Sequence, residues 1–411
     1  MPDTDHTAPR RTETYDAIVV GGGPAGLATA RRLERAGVRA VVLEAGNLPG
    51  RRWHEHYDRL RLHTARPLSG LPGRHLPRSA GRWVPRACLA DYLVTYAQGL
   101  DVRTGAAATR VDREDSGWSV ASEDGTTLYA GTVVVCSGRT NEPILPSWAD
   151  GALPDATVLH SRDYRNGSIY VGNRVLVVGA GNTGAEIALD LVDHGAAEVL
   201  WSIRSGQNVI GRTIRGIPVQ YFSLIGRRLP TASRDRTFRL LSRLSVGDAA
   251  GIPRPAFGGA SQFDRTHTTP LIDVGTVAAV RRGDIEVVRD VASLEGSTVN
   301  LSDGHERTID AIVMATGYRP GLEPLVGHFG VLDADGYPRH FARVDAANPG
   351  LYFVGFANAV SGLLREISIE ARRVARAERA RRRAARPEPL RRRVSRNHRA
   401  GAQEGPRTAT R

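Results

Sequence analysis

The stretch Tyr15-Asp16-Ala17-Ile18-Val19-Val20-Gly21-Gly22-Gly23-Pro24-Ala25-Gly26-Leu27 decides the fold of this chain. Tyr15 to Val20 is a short run rich in β-branched residues, Leu27 to Ala36 has helical spacing, and Ala40 to Leu43 is a second apolar run. The order reads as strand, helix, strand. In a G-x-G-x-x-G turn the first glycine permits the tight bend, the second lets a pyrophosphate approach the backbone, and the third lets helix and strand pack closely. Gly21, Gly23 and Gly26 fill these places. The helix that follows presents free N–H groups and the positive end of its dipole to phosphate. Glu44 closes the unit where a carboxylate can accept hydrogen bonds from ribose hydroxyls.

The same grammar recurs further on. Asn173 to Val178 is strand-like, Gly179-Ala180-Gly181-Asn182-Thr183-Gly184 is a second glycine turn, Ala185 to His194 is helical, and Glu198 to Ile203 is strand-like again. At the offset of Glu44 stands Ser202, with Arg204 two positions later. A carboxylate would repel a 2′-phosphate, whereas a small hydroxyl and a guanidinium can bind one, so the second site is expected to take NADPH rather than NADH. An α/β protein with two dinucleotide-binding domains is expected.

Between the units, Arg51 to Gln98 is rich in Arg, His, Pro and aromatic residues, and Thr132 to Val135 is a buried-type strand running into Cys136-Ser137-Gly138. After the second unit, Gly206 to Gly275 reads as a long irregular region whose side chains would choose the substrate. Strands are expected at Ile285 to Val291, Thr298 to Leu301, Ala311 to Met314 and Leu351 to Val354, and a helix from near Ser361 that ends before Pro387.

Composition narrows the function. The net charge of +13 suggests nucleic acid until it is located: Ala371 to Arg411 holds 15 Arg and 3 Glu, leaving 41 basic and 40 acidic side chains elsewhere. The basicity belongs to a tail, which has no aromatic residue to stack on bases; a solvated, disordered tail is expected, with no specific nucleic-acid partner. All the basic residues other than histidine are arginine. Cys88 and Cys136 are far apart and form no C-x-x-C or metal-ligand spacing, so neither a disulfide framework nor a metal site is expected. Met1 to Asp16 is polar and lacks the apolar run of a secretory signal, and no stretch reads as a membrane span, so a cytoplasmic location is expected.

With these residues in place the chain resembles the class B flavin-dependent monooxygenases, and within them the YUCCA-type and bacterial flavin-containing monooxygenases. The resemblance runs from about Tyr15 to Ala375. It rests on Gly21 to Leu27, on Trp53 with Tyr57-Asp58-Arg59-Leu60-Arg61-Leu62-His63, and on the Asn182-containing turn. Ala315-Thr316-Gly317-Tyr318 and Gly350 to Phe356 add to it. It implies FAD in the first site, held by Gly21, Gly23, Gly26, Glu44, Trp53, Gly138 and Gly355. NADPH is implied in the second, held by Gly179, Gly181, Asn182, Thr183, Gly184 and Arg204, with His160, Ser161, Thr316 and Gly317. The family fingerprint F-x-G-x-x-x-H-S-x-x-Y is met by His160, Ser161 and Tyr164, while Pro154 and Ala156 stand where Phe and Gly are expected. His63 falls where vertebrate-type relatives place an asparagine near flavin C4a; it is the first catalytic candidate, with a packing histidine as the alternative. Asn141 is the second.

The reaction implied is reduction of FAD by NADPH, capture of O2 as a C4a-(hydro)peroxyflavin, and transfer of one oxygen atom to a small organic substrate. Whether oxygen goes to N, S or carbonyl carbon is left open by the residues. An NADPH oxidase or flavin reductase of the same fold is the enzymatic alternative, and a flavoprotein binding acidic partners through its arginine tail the non-enzymatic one. A disulfide reductase would need a redox cysteine pair beside the flavin. The expected domains are a flexible N-terminus (1–13), an FAD domain (14–165 and 305–375), an inserted NADPH domain (166–304), and a basic helix end with a disordered tail (376–411).

Overall fold

A computed structural model of the chain describes residues 13–149, 157–226, 228–249 and 251–384. The expected flexible N-terminus ahead of Glu13, the tail beyond Ala384, and the divergent positions Pro154 and Ala156 lie outside the described residues.

The decisive stretch folds as read. Strand β1 (Thr14–Val20) runs into the glycine turn, helix α1 (Pro24–Arg35) starts on a proline whose fixed φ suits the first helical position, and β2 (Ala40–Glu44) returns parallel to β1. A short helix α2 (Arg51–Glu55) and a longer α3 (Arg86–Ala97) precede β3 (Asp101–Thr104). Strands β4 (Ala108–Glu114), β5 (Gly117–Ser122) and β6 (Thr127–Val135) complete the first sheet, whose order is β3-β2-β1-β6-β5-β4, with Leu351–Phe353 pairing along β6. Because β1 lies between β2 and β6, the sheet changes direction at the glycine turn, where such sheets bind ligands.

Helix α1 packs between this sheet and the last helix, Leu363–Ala384, burying Leu27, Ala28 and Leu33 completely against a cluster that includes Ile367, Ala371 and Val374. Full burial of one large aliphatic side chain is worth about 1.5–3 kcal/mol, which fixes where the N-terminus of α1 points. The last helix stays docked beyond Ala375. Glu378 is fully buried and accepts a hydrogen bond from Thr132 Oγ1 (2.7 Å), and Arg381 pairs with it.

The second sheet is built the same way. After a short strand β7 (Glu142–Pro143) and β8 (Thr157–His160), β9 (Arg174–Val178), helix α4 (Asn182–His194) and β10 (Glu198–Ser202) form the second strand-helix-strand unit. The order is Glu286–Val288, β10, β9, Ala311–Met314, β8, all parallel. This sheet therefore crosses both boundaries expected from the sequence: β8 lies ahead of residue 166, and Ala311–Met314 beyond 304. Alternation and turn residues mark strands but not which sheet a buried run joins. The two bodies are tied by β7, which pairs antiparallel with Tyr318–Arg319.

Two element readings are corrected. The region 206–275 is not irregular: it holds strands at Val209–Gly211, Thr213–Ile214, Ile217–Pro218 and Leu271–Asp273 and helices at Val219–Gly226, Thr231–Ser245 and Gly259–Thr266. Their apolar spacing is hard to read because Thr231–Ser245 turns Phe238 and Leu241 to a cavity while leaving Leu240 and Leu244 exposed. The expected strand Ile285 to Val291 is two strands, Glu286–Val288 in the second sheet and Val291–Glu295 in a separate three-stranded sheet. Among the described residues no helix is long and apolar enough to cross a membrane.

Candidate functional site

Each glycine of the two turns has a distinct steric reason. Gly21 has φ +106°, and a Cβ there would sit 2.6 Å from the Cys136 carbonyl oxygen; Gly179 has φ +124°, and its Cβ would sit 2.3 Å from that of Ala315. A Cβ on Gly26 would lie 1.8 Å from the Gly21 oxygen, and one on Gly184 2.1 Å from the Gly179 oxygen. By contrast a Cβ on Gly23 or Gly181 would meet nothing within 4 Å. First and third glycines close the turn; the second faces open space at a helix N-terminus.

The turns that follow β6 and Ala311–Met314, the strands beside β1 and β9, are also equivalents. Cys136-Ser137-Gly138 passes beneath Gly21 and Ala315-Thr316-Gly317 beneath Gly179, and Gly138 (φ +89°) and Gly317 (φ +92°) again face open space. Around these openings, Ser137 Oγ and Ser161 Oγ are buried with no hydrogen-bond partner among the described residues. Buried hydroxyls without partners are costly, and open glycine fronts beside them fit the polar edge of a bound nucleotide.

In the first unit Glu44 folds over the turn, accepting the Gly22 N–H at 2.8 Å and the Gly46 N–H at 2.7 Å. Gly50 donates its N–H to the Gly22 carbonyl (3.0 Å), and α2 starts at the next residue, which holds Trp53 beside this turn. Gly355 closes on Ala25 of α1, where a Cβ would come within 2.7 Å, and its N–H donates to the buried Glu370, whose carboxyl burial pushes up to about 7.

In the second unit Arg204 is exposed, with no ion pair among the described residues. Ser202 is corrected: it is 1% exposed and its hydroxyl donates to the Arg289 carbonyl at 2.9 Å, so it faces the strand Glu286–Val288 side of the sheet and not a phosphate. Asn182 Oδ1 accepts the Ile272 N–H at 2.7 Å, which anchors Leu271–Asp273 to the start of α4. His160 is buried at the end of β8, where its Nδ1 accepts the Arg162 N–H (3.1 Å) and its ring meets Tyr318 edge-on; burial pushes its pKa down. Thr316 Oγ1 donates to the Ile144 carbonyl.

A cavity of about 290 Å³ opens between the two bodies. His63 and Thr64 border it from the first, Asn182 from α4, and most of its wall comes from 206–275, including Phe222, Phe238 and Phe263. The catalytic candidates part here. His63 borders the cavity, whereas Asn141 does not; the Asn141 amide donates to the Pro320 carbonyl (2.8 Å) and its own carbonyl accepts Arg162, so it braces the crossing between the sheets.

One residue escaped the sequence reading. Glu186, two positions beyond Gly184, is 4% exposed; its Oε1 lies 2.8 Å from His63 Nε2, and its Oε2 accepts the Tyr57 hydroxyl at 3.2 Å. Two carboxyl side chains four residues apart, Glu186 and Asp190, among the apolar residues of Ala185 to Leu191 were the available signal.

Two strand-helix-strand units, each with an open glycine front at the N-terminus of its helix, are the fold of a protein with two dinucleotide-binding domains. Residues 18–210 match the family model described as pyridine nucleotide-disulphide oxidoreductase. The chain is 32% identical over 386 residues to the indole-3-pyruvate monooxygenase YUCCA6 of Arabidopsis thaliana, covering 90% of this chain and 91% of that one. It is 33% identical over 364 residues to the indole-3-pyruvate monooxygenase YUCCA4 of Oryza sativa subsp. japonica, covering 83% and 82%. Among solved structures, the flavin-containing monooxygenase from Stenotrophomonas maltophilia superposes with TM-score 0.69 at 23% identity, covering 90% of this chain and 99% of that one. The chain belongs to the YUCCA-type flavin-containing monooxygenases, oxidoreductases that use FAD and NADPH. Cys88 and Cys136 are both unpaired, and burial pushes the Cys136 thiol far above its usual pKa, the opposite of a redox-active pair.

Proposed function

We propose that the protein transfers one oxygen atom from O2 to a small organic substrate held in the cavity beside His63, with NADPH as electron source and FAD as oxygen carrier. The observation that carries this reading is the position of the cavity: its wall joins His63 of the first body to Asn182 at the N-terminus of α4. In this reading Gly21, Gly23, Gly26, Glu44, Trp53, Gly138 and Gly355 hold FAD. Gly179, Gly181, Gly184, Thr183 and Arg204 hold NADPH, with His160, Ser161, Thr316 and Gly317 on the side of the nicotinamide. Flavin bound there would supply the oxygen activation.

The chain's own contribution is to exclude water and place a proton. The aromatic and aliphatic wall keeps the reacting face dry, which strengthens any hydrogen bond His63 makes there. Three phenylalanine rings in that wall suit a flat aromatic substrate, and the 2-oxo acid named in the curated relatives fits that description.

The direct test is turnover under 18O2 with small aromatic amines, sulfides, ketones and 2-oxo acids. Incorporation of one labelled oxygen into product supports the reading; hydrogen peroxide alone with every compound overturns it in favour of an oxidase. His63→Ala should divert NADPH electrons to peroxide while flavin reduction stays within about twofold of wild type, because reduction depends on the second turn and not on this ring. Equal loss of both would make His63 a packing residue.

A further inference from the structure

We propose that Glu186 is a positioning residue that holds His63 in the tautomer protonated on Nε2, leaving Nδ1 as a hydrogen-bond acceptor at the cavity. The proposal rests on the oxygenase reading for its catalytic meaning and on geometry for its substance.

A carboxyl group that is 4% exposed needs hydrogen-bond partners, because a buried polar group left without them is destabilising. Glu186 has one that is aligned, the Tyr57 hydroxyl on Oε2 at 3.2 Å; Oε1 is buried with no aligned hydrogen-bond partner among the described residues, and His63 Nε2 lies 2.8 Å from it, close enough to supply that donor. A neutral imidazole carries one proton, so a proton committed to Nε2 leaves a lone pair on Nδ1. That Nδ1 is buried without a partner among the described residues, on a ring that borders the cavity. A satisfied packing histidine would have no such vacant nitrogen. The vacancy suits a ligand that donates a hydrogen bond, such as the O–H or N–H of a substrate or of a reduced oxygen species.

Tyr57, Tyr318 and Arg212 are the titratable neighbours of the pair. Burial and the neighbouring Glu186 hold the Tyr57 phenol far above its usual pKa, so it remains a donor. Tyr318 faces Tyr57, and the half-buried Arg212, near Arg61, lies within electrostatic reach of Glu186. The pair also spans the two bodies: Tyr57 and His63 precede α3 in the first, while Glu186 sits in the first turns of α4, immediately after the glycines that face the second nucleotide. The His63 ring is thus oriented by the helix that NADPH would occupy.

The test uses the full-length flavin-loaded protein labelled with 15N-histidine, with His63 assigned by its absence from His63→Gln. Long-range 1H–15N correlation should show the Nε2–H tautomer in wild type. Glu186→Gln, whose amide can donate to Nε2, should shift His63 toward Nδ1–H, lower product formed per NADPH roughly tenfold, and leave flavin reduction nearly unchanged. Glu186→Asp should restore the Nε2–H signal with intermediate coupling. A wild-type Nδ1–H tautomer overturns the proposal, and so does a Glu186→Gln protein with unchanged tautomer and coupling. If Glu186→Gln does not fold, the wild-type tautomer and the Asp variant decide. A tautomer shift as expected in a protein that never oxygenates any substrate upholds the positioning role and sinks the oxygenase reading instead.

Discussion

The two glycine turns share a backbone and differ in what the side chains do with it. In the first, Glu44 curls back over the loop, and a Cβ at Gly22 would lie 2.7 Å from its Oε2. The second turn carries Ala180 at the matching place, which is possible because Ser202 turns into the sheet and leaves the space above the loop clear. The residue at the end of the second strand thus sets both the charge over the nucleotide and whether the middle of the turn can bear a side chain. The backbone of the two turns is shared, whereas the side chains at their edges, Glu44 against Ser202 and Arg204, are not.

The sharpest way to break this comparison is to crowd the third glycine of each turn. Gly26→Ala and Gly184→Ala both force a Cβ into a carbonyl oxygen at 1.8 and 2.1 Å, overlaps that no side-chain motion can relieve. We expect Gly26→Ala to lower bound flavin more than about tenfold, the overpacking costing at least ~3 kcal/mol, and Gly184→Ala to retain flavin while losing reduction by NADPH. Flavin per chain and the anaerobic reduction rate measure the two; if Gly184→Ala loses its flavin equally, the turns do not act separately.

Arg204→Ala comes next. A charge-assisted contact to the 2′-phosphate alone should weaken NADPH by on the order of 1.5–3 kcal/mol and leave NADH almost unaffected. Equal weakening of both nucleotides would show that Arg204 is an ordinary surface charge. Transplanting the first turn's logic into the second sharpens the same point: Ala180→Gly with Ser202→Glu should move the NADPH/NADH preference toward NADH by about tenfold. An unchanged ratio would mean that Arg204 outweighs the new carboxylate.

The smallest expected effect lies at the far end of the second sheet. Asp310 accepts the Arg174 backbone N–H at 2.7 Å and pairs with its guanidinium, which holds the carboxyl down at about 2. Its folded pKa is below the ordinary 3.8, so its contribution is full above about pH 4 and is lost as pH falls through about 2. Both partners are well exposed, so Asp310→Asn should cost less than about 1 kcal/mol at pH 7, read as a small drop in Tm, and nucleotide binding at the opposite end of the strands should not change.

The two strand-helix-strand units and the glycine at each critical place were legible in the sequence, because these are local: a φ that favours glycine and a residue at a fixed offset are written in neighbouring positions. It also singled out His63. Tertiary structure alone decided what lies at a distance. Asn141 gave no sign that its amide would be taken by Pro320, and Ser202 none that its hydroxyl would bond to Arg289, since those partners stand 179 and 87 residues away. The helices that wall the cavity were hidden because each turns a few apolar side chains inward while leaving others exposed, which blurs the period. Glu186 was legible, with Asp190, as a charge among the apolar residues of a buried helix, but its meaning required the fold to bring His63, 123 positions earlier in the chain, to within 2.8 Å. Chain order records which backbone shapes are possible; only packing brings a carboxylate and an imidazole together.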